Sequence, residues 1–291
     1  MRWYQVKEQA AGTKRLTLLW YIYKFFGKNT AKLVIFFVTF FAFCFGGKIR
    51  KYSAQYLRVV GLKPSLFNQF RHFLSYSYSL LDKMESFVNR FDAQKIQFAD
   101  EEIKQEFFED ISKGHGVFFI CSHLGNIDVM RSLLNIDEMG RHVHVNIFLS
   151  ESQCKIFNNF LKKISVKQNV TTFPVEEIGI DTPIKLKDKL NSGEIAFLAG
   201  DRISQNESAS FKTNFLGQTV EFPLGTFIFA KLMEVPIYYI AALKEKNDNY
   251  TIYLEKAGSE NLKENYVKFL EKLTLKYPLQ FYHFYDLFTQ K

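Results

Sequence analysis

Two side chains that could move a proton, His123 and Asp128, lie five residues apart where a buried strand gives way to a helical pattern. Val117–Cys121 is apolar throughout, which predicts the strand, and the apolar spacing after Asn126 predicts the helix. A histidine in the turn between them can fold back onto a carboxylate one turn into the helix. That carboxylate would fix the imidazole tautomer and leave the second ring nitrogen to accept a proton, which is the arrangement of a general base.

The same turn offers two alternatives to this interpretation. A single histidine at the end of a strand is more often structural than catalytic. Ser122 or Cys121 could instead be the nucleophile of a hydrolase that uses His123. Neighbouring residues of a strand point to opposite faces, which argues against Ser122, and Cys121 belongs to the apolar strand.

A second strand ends in the polar turn Gly200-Asp201-Arg202, after the apolar run Ile195–Ala199. Ligands of open α/β sheets bind beyond the carboxyl ends of the strands. The turn and His123 are therefore expected to share one crevice. The planar guanidinium of Arg202 suits an anionic group of a substrate.

Apolar strand patterns alternate with helical patterns from about residue 91 onward, which predicts an α/β fold with a mostly parallel central sheet flanked by helices. The predicted strands are Val117–Cys121, His144–Leu149, Val170–Phe173, Glu194–Ala199, Val235–Leu243 and Tyr250–Glu255. The predicted helices are Asn126–Leu134, Gln153–Ile164, Thr182–Asn191, Leu224–Met233 and Leu262–Lys276. Residues 203–214 are expected to form a loop.

The charge of the chain is concentrated near its N-terminus. The net charge is +8, yet Gln9 to Leu81 contains no acidic residue and 11 basic ones, so the remainder carries 8 − 11 = −3. Such a surface suits nucleic acid or an anionic membrane. The three cysteines fit neither a disulfide framework nor a metal site, which favours a reducing compartment.

Hydrophobicity favours the membrane. Leu33–Phe45 contains no charged residue, but as a helix it is only about 20 Å long, short of a hydrocarbon core of ~30 Å. We expect it to insert into one leaflet or to span with a tilt, with basic side chains at the lipid head groups; burial in the protein core is the alternative. No groove-reading motif accompanies the charge, so nucleic acid is not an expected partner.

Four motifs, taken in order, resemble those of one enzyme family. His123-Leu-Gly-Asn followed by an acid, Phe197-Leu-Ala-Gly-Asp-Arg202, the strand that begins Val235-Pro-Ile, and the tail Pro278-Leu-Gln-Phe-Tyr together are similar to the bacterial lipid A biosynthesis (lauroyl/myristoyl-type) acyltransferases, a branch of the glycerolipid acyltransferase superfamily. The second motif departs from the common superfamily form Phe-Pro-Glu-Gly-Thr-Arg, since Ala199 and Asp201 replace its glutamate and threonine.

This resemblance implies a membrane-associated acyltransferase at the cytoplasmic face of the bacterial inner membrane. His123 would be the general base oriented by Asp128, and Gly200, Asp201 and Arg202 would contact the substrate. The acyl donor would be an acyl carrier protein thioester, or else coenzyme A, and no cofactor or metal is expected. The acceptor would be a lipid A precursor or a related glycolipid; an aryl-polyene type lipid, a phospholipid, and a non-catalytic lipid-binding protein are the alternatives.

The resemblance also suggests how the chain is divided. Residues 1–90 would form the helical membrane-associating segment and residues 91–291 the acyltransferase domain.

Phe222-Pro-Leu-Gly-Thr226 looks like the arginine motif but is expected to open a helix over the acyl pocket. His283 and Asp286, in the aromatic tail, are interpreted as part of a packing plug rather than a catalytic pair. A basic helix with Lys155, Lys162 and Lys163 could receive the acidic carrier or simply be solvated.

Overall fold

Seven strands form one sheet, and a separate two-stranded hairpin lies beside it. The computed structural model describes residues 12–114, 116–130, 132, 143–164, 169–203, 209–258 and 260–288. The strands of the sheet are β1 (Ile96–Phe98), β2 (Val117–Cys121), β3 (Val145–Leu149), β4 (Val170–Pro174), β5 (Ile195–Ala199), β8 (Ile237–Lys244) and β9 (Tyr250–Lys256). The hairpin consists of β6 (Ser210–Phe215) and β7 (Gln218–Pro223).

The strands follow the order β1-β9-β8-β2-β5-β3-β4, and all neighbours are parallel except β8 and β9. Alternate residues of β2 enter two different cores: Phe118 and Ile120 belong to one, Val117 and Phe119 to the other. Both faces of the sheet are therefore covered, which explains why β2 is apolar without alternation. The predicted mostly parallel sheet flanked by helices is confirmed.

Eight helices of the described residues surround this sheet. They are α1 (Thr13–Phe45), α2 (Gly47–Val59), α3 (Leu66–Phe87), α4 (Glu101–Ser112), α5 (Glu151–Ile164), α6 (Asp181–Asn191), α7 (Gly225–Leu232) and α8 (Leu262–Lys276). The predicted bounds of β2 and α8 agree with the structure, and the other predicted strands and the helices at α5, α6 and α7 begin or end within two residues of it.

Two expectations about local structure are corrected. Residues 203–214 were expected to form a loop, but Ser210–Phe215 is the first strand of the hairpin. The predicted helix Asn126–Leu134 begins instead with a short 3-10 turn, Ile127–Val129, and residues 131 and 133–134 lie outside the residues described here. The predicted boundary at residue 91 stays a prediction.

Helix α1 is the one described helix long and apolar enough to cross a membrane by length and composition. It kinks at Gly27, whose φ of 81° suits a residue without Cβ. One face packs on α3 and α5 through buried residues that include Trp20, Ala31 and Ile35. Its other apolar side chains are largely exposed; they are Leu18, Tyr21, Phe25, Phe26, Leu33, Phe37, Val38, Phe40, Phe41 and Phe45, of which Leu18 and Val38 also line the cavity described below.

A charge cluster attaches α1 to the rest of the fold. Lys28 Nζ lies 3.2 Å from the buried carboxylate of Asp82 and 2.5 Å from that of Glu85, both on α3. From the sheet, Lys244 Nζ and the Tyr250 hydroxyl donate to Asp82 at 2.6 and 2.8 Å. The cluster therefore joins α1, α3 and the strands β8 and β9.

Candidate functional site

His123 stands in an extended turn at the carboxyl end of β2. The two residues after it form isolated β-bridges, Leu124 with Phe281 and Gly125 with Ala242. Gly125 has a φ of +75°, and a Cβ there would come within 2.1 Å of the Ala242 carbonyl oxygen. The turn therefore needs glycine at this position, because no other residue fits this backbone without a shift.

The imidazole of His123 is held by Asp201. Its Nδ1 lies 2.9 Å from Oδ1 of Asp201, and its backbone N–H donates to Oδ2 at 2.8 Å. Strand register explains the meeting: β2 and β5 are adjacent and parallel with Cys121 opposite Ala199, so the residues two positions further on face each other. Because an ionised carboxylate only accepts hydrogen bonds, the proton of the neutral imidazole is placed on Nδ1 and the lone pair on Nε2.

Asp128 was expected to make this contact, and the structure assigns it a different partner. Its Oδ2 forms an ion pair with Nζ of Lys83 on α3, at 2.7 Å. The expectation assumed a regular helix directly after His123, whereas Leu124 and Gly125 form β-bridges instead and the chain reaches Asp128 beside α3. The Nδ1 partner of His123 is thus Asp201, and Asp128 fixes a lysine that sequence reasoning did not consider.

A second histidine, His283, contacts the same carboxylate from the C-terminal tail. Its Nε2 lies 2.9 Å from Oδ2 of Asp201. The tail reaches the site because Tyr282 N–H donates to the His123 carbonyl at 3.0 Å and Gly125 N–H donates to the Gln280 carbonyl at 2.8 Å. The expectation that His283 belongs only to an aromatic plug was therefore incomplete, and no local sequence signal links it to a turn 160 residues earlier.

The three side chains differ in exposure and in charge. Asp201 is 1% exposed and His283 is 1% exposed, whereas the His123 side chain is 36% exposed. Burial alone would raise the pKa of Asp201, but the charge and hydrogen bond of His123, followed by those of His283, hold it well below its usual range. Burial lowers the pKa of His283 to about 3, against the opposing effect of its bond to Asp201. At neutral pH the arrangement is a carboxylate between a buried neutral imidazole and a reachable one.

The other predicted substrate contacts lie at different depths. Arg202 lines the cavity beside His123, donates from Nη2 to the Tyr282 carbonyl at 2.9 Å, and lies over the Tyr285 ring at 5.4 Å. Gly200 is buried, and a Cβ there would meet the Tyr266 ring at 3.0 Å. Gly200 and Asp201 are thus buried and do not line the cavity. Among the predicted contacts of this turn, Arg202 is the one that reaches the cavity.

The cavity in front of His123 has a volume of about 1560 Å³. The charged or titratable side chains that line it include His123, Asp128, Lys83 and Arg202. Its walls are mainly apolar and include Leu19, Ile22, Val34 and Ile35 of α1, Leu80 and Met84 of α3, Phe157 and Phe160 of α5, and Ile228, Phe229 and Leu232 of α7. Helix α1 therefore forms one wall of the cavity while its opposite face is exposed.

Three further residues, described next, lie near His123. Ser122 lines the cavity, and its Oγ accepts a hydrogen bond from Leu124 N–H at 3.2 Å. Cys121 is buried, and burial raises the pKa of its thiol, which disfavours a thiolate nucleophile. Thr226, in the segment expected to cover the acyl pocket, lines the cavity and donates to the Ala199 carbonyl at 2.9 Å.

His123, Asp201 and His283 also offer one potential metal ligand each, within 4.8 Å of one another. Asp201 accepts three hydrogen bonds at 2.8, 2.9 and 2.9 Å, which are ordinary distances for an N–H donor and a carboxylate. The Asp201 carboxylate is therefore held by hydrogen bonds from protein groups at ordinary distances. The expectation of no metal stays a prediction.

Comparison with known proteins does not extend this description. The chain matches no protein-family model, and no curated protein matches it significantly.

Proposed function

We propose that the protein is a membrane-associated acyltransferase that moves a fatty acyl group from a thioester to a hydroxyl of a lipid. The observation that carries this proposal is that His123, paired with Asp201, lines a large, mainly apolar cavity of which α1 forms one wall. The volume exceeds the range of roughly 300–1,000 Å³ that small-molecule pockets occupy, which suits long hydrocarbon chains. The order of the sequence motifs, with their resemblance to lipid A-type acyltransferases, supports the same class.

In the proposed reaction, Nε2 of His123 removes the proton of the acceptor hydroxyl while Asp201 steadies the imidazolium that forms. The acceptor oxygen attacks the thioester carbonyl carbon, and the electron pair of the carbonyl moves to its oxygen. When this intermediate collapses, the carbon–sulfur bond breaks and the leaving thiolate takes the proton from His123. The products are an acyl ester and a free thiol, and the base contributes roughly 10²- to 10⁴-fold.

Two of the cations that line the cavity receive separate roles. Lys83, fixed by Asp128, is assigned to the negative charge that develops on the thioester oxygen, because such charge is best stabilised by a donor that is already positioned. Arg202 is assigned to an anionic group of the acceptor. Asp128 thus stays in the site as the residue that positions Lys83.

The donor and the acceptor are proposed by chemistry. An acyl carrier protein thioester is the first choice and coenzyme A the second, and a lipid A precursor or related glycolipid is the acceptor, with an aryl-polyene type lipid or a phospholipid as the alternative. A thioester donor of this kind is cytosolic, so the site would work at the cytoplasmic face of the inner membrane. A hydrolase with Cys121 as its nucleophile is disfavoured because burial raises the pKa of that thiol.

Mass spectrometry of lipids from bacteria that express the wild-type protein or His123→Gln tests the proposal. The wild type should generate a lipid heavier by one acyl chain, and His123→Gln should not, although both fold. Equal lipid profiles with and without the wild-type protein in a host that makes the acceptor classes named above would support the non-catalytic alternative. Release of free fatty acid that depends on Ser122 would support the hydrolase.

Membrane association is proposed through the exposed apolar face of α1 together with the basic residues of the first three helices. Because the other face of α1 is packed on α3 and α5, lying on the membrane is favoured over crossing it. The apolar contact should resist salt, since only electrostatic attraction is screened. The full chain should therefore stay in the membrane fraction at high salt and be released by detergent.

Substitutions on that face test the contact directly. Phe37→Ser with Phe41→Ser should shift the protein toward the soluble fraction, because both rings are exposed on the protein and full burial of a Phe side chain in lipid contributes up to roughly 1.5–3 kcal/mol. Leu275→Ser, at a similarly exposed apolar residue of α8, is the matched control and should not. Complete release of the wild type by salt alone would refute the apolar contact.

A further inference from the structure

The carboxylate of Asp201 is shared between two imidazoles, and the proposed reaction uses only one of them. His123 contacts Oδ1 through Nδ1, and His283 contacts Oδ2 through Nε2, both at 2.9 Å. His283 is 1% exposed, so it does not reach a substrate in the cavity. Any contribution it makes to chemistry must pass through Asp201.

The hydrogen-bonding state of His283 is fixed by its surroundings. The carboxylate accepts, so Nε2 of His283 carries the proton and donates it. The other ring nitrogen, Nδ1, is buried and has no hydrogen-bond partner among the described residues. A buried polar atom of this kind is unfavourable and is rare in native structures, so the ring is retained at a cost in stability.

Aromatic neighbours hold the ring in place. The Phe281 ring lies 4.0 Å and the Tyr285 ring 4.7 Å from it, measured between ring centroids. Its orientation is thereby set by packing, and the Nε2–H vector toward Asp201 is set with it. A side chain that only filled space here could be phenylalanine, which would leave no unpartnered nitrogen.

We infer that His283 is a positioning residue whose Nε2–H fixes the Asp201 carboxylate in the orientation that keeps His123 in its Nδ1–H tautomer. This inference rests on the proposed function for its catalytic consequence. The bond to His283 draws electron density from the carboxylate and so weakens its hold on the proton of His123. His283 thus sets both the orientation of the His123 imidazole and its basicity.

Other titratable groups also face Asp201, and they remain constant in the variants below. His123 and Cys121 belong to β2 and its turn, and Arg202 follows β5. Tyr266 comes from α8 and Tyr285 from the tail; both sense the charge of Asp201. A change in the titration of His123 on substitution of His283 alone is therefore attributable to the lost donor.

The decisive variants are His283→Phe and His283→Gln. Phenylalanine keeps the ring but has no donor, whereas the amide nitrogen of glutamine reaches about as far as Nε2. His283→Phe should lower kcat by roughly tenfold to a hundredfold, because that is the effect of one hydrogen bond to a charged group. The KM for the dodecanoyl thioester of acyl carrier protein should stay unchanged. His283→Gln should recover kcat to within about threefold of the wild type. Asp286→Asn, in the same tail, is the control and should behave as the wild type.

Titration separates this inference from the proposed function. The NMR pKa of His123 should rise in His283→Phe and return toward the wild-type value in His283→Gln, with or without turnover. If His283→Phe fails to fold, a folded His283→Gln that loses a hundredfold in kcat overturns the inference. An unchanged His123 pKa in folded His283→Phe overturns it as well, and so does loss of wild-type turnover on chelation, which would indicate a metal in the cluster. Absence of turnover in the wild type contradicts only the acyltransferase proposal.

Discussion

Replacement of Asp201 by asparagine removes one charge and forces a choice of hydrogen bonds. In the wild type, Oδ2 accepts from both the His123 backbone N–H and His283 Nε2, and among the residues that the structure describes Oδ1 faces only Nδ1 of His123. The asparagine oxygen satisfies two donors at the Oδ2 position and only one at the Oδ1 position. Its NH₂ group will therefore face Nδ1, which must then accept a hydrogen bond.

This inversion places the proton of neutral His123 on Nε2, where it cannot act as a base. Asp201→Asn should lower kcat by roughly 10²- to 10⁴-fold, the full contribution of the base. The unfolding free energy should fall by roughly 1.5–3 kcal/mol, the weight of a hydrogen bond to a charged group. Steady-state kinetics with the dodecanoyl thioester of acyl carrier protein measure the loss in kcat. Unfolding by denaturant measures the loss in unfolding free energy.

A double-mutant cycle with His123→Gln tests whether Asp201 acts through that base. If it does, Asp201→Asn should cost little in the His123→Gln background, because the two residues work as a unit. A further loss of about a hundredfold in the double variant would refute the reasoning, and so would near-native kcat in Asp201→Asn alone.

Three further predictions concern neighbouring groups. Lys83→Met should lower kcat with little change in either KM if the lysine stabilises the oxyanion; a rise confined to acceptor KM would show that it binds substrate instead. Arg202→Lys keeps the charge but loses the planar fork, so acceptor KM should rise with donor KM unchanged; the opposite pattern would place Arg202 at the donor. Burial lowers the pKa of His72 to about 4 and of His283 to about 3, from 6.5, so only the unfolded chain binds these protons between those values. Stability should therefore fall below pH 6.5 by up to ~1.4 kcal/mol per pH unit for each histidine, and His72→Gln should reduce that slope in urea unfolding; an unchanged slope would contradict the assignment.

The sequence indicates the sheet and the edge that carries the site, because these depend on local patterns. Apolar runs mark β2 and β5, and polar residues follow both at their carboxyl ends. The hairpin also had a signal that was missed, since the alternating runs Ser210–Phe215 and Gln218–Pro223 are separated by Leu216-Gly217. Both of these turn residues have positive φ, as a tight two-residue hairpin turn requires.

The hydrogen-bond partner of the His123 imidazole could not be predicted from the neighbouring sequence. Asp128 is five residues away and Asp201 is 78 away, and the choice depends on β2 pairing with β5 although β3 and β4 come between them in the chain. His283 is further still, and its position depends on the tail returning beneath the turn. Contacts of this range are set by strand order and register, which a single sequence specifies only through the whole packed core.

The charge cluster at Lys28 has a consequence for protein engineering. If α1 were cut away, Glu85 would lose Lys28, whereas Asp82 would lose Lys28 but keep Lys244 of β8. Removal of one partner from a buried ion pair costs roughly 3–5 kcal/mol, and Glu85 is the carboxylate exposed to that cost. A truncated chain would also lack one wall of its cavity. Helix α1 therefore cannot be replaced by a soluble tag without loss of stability and of a cavity wall. A soluble version must keep the helix and its lysines, and change only the apolar side chains that face outward.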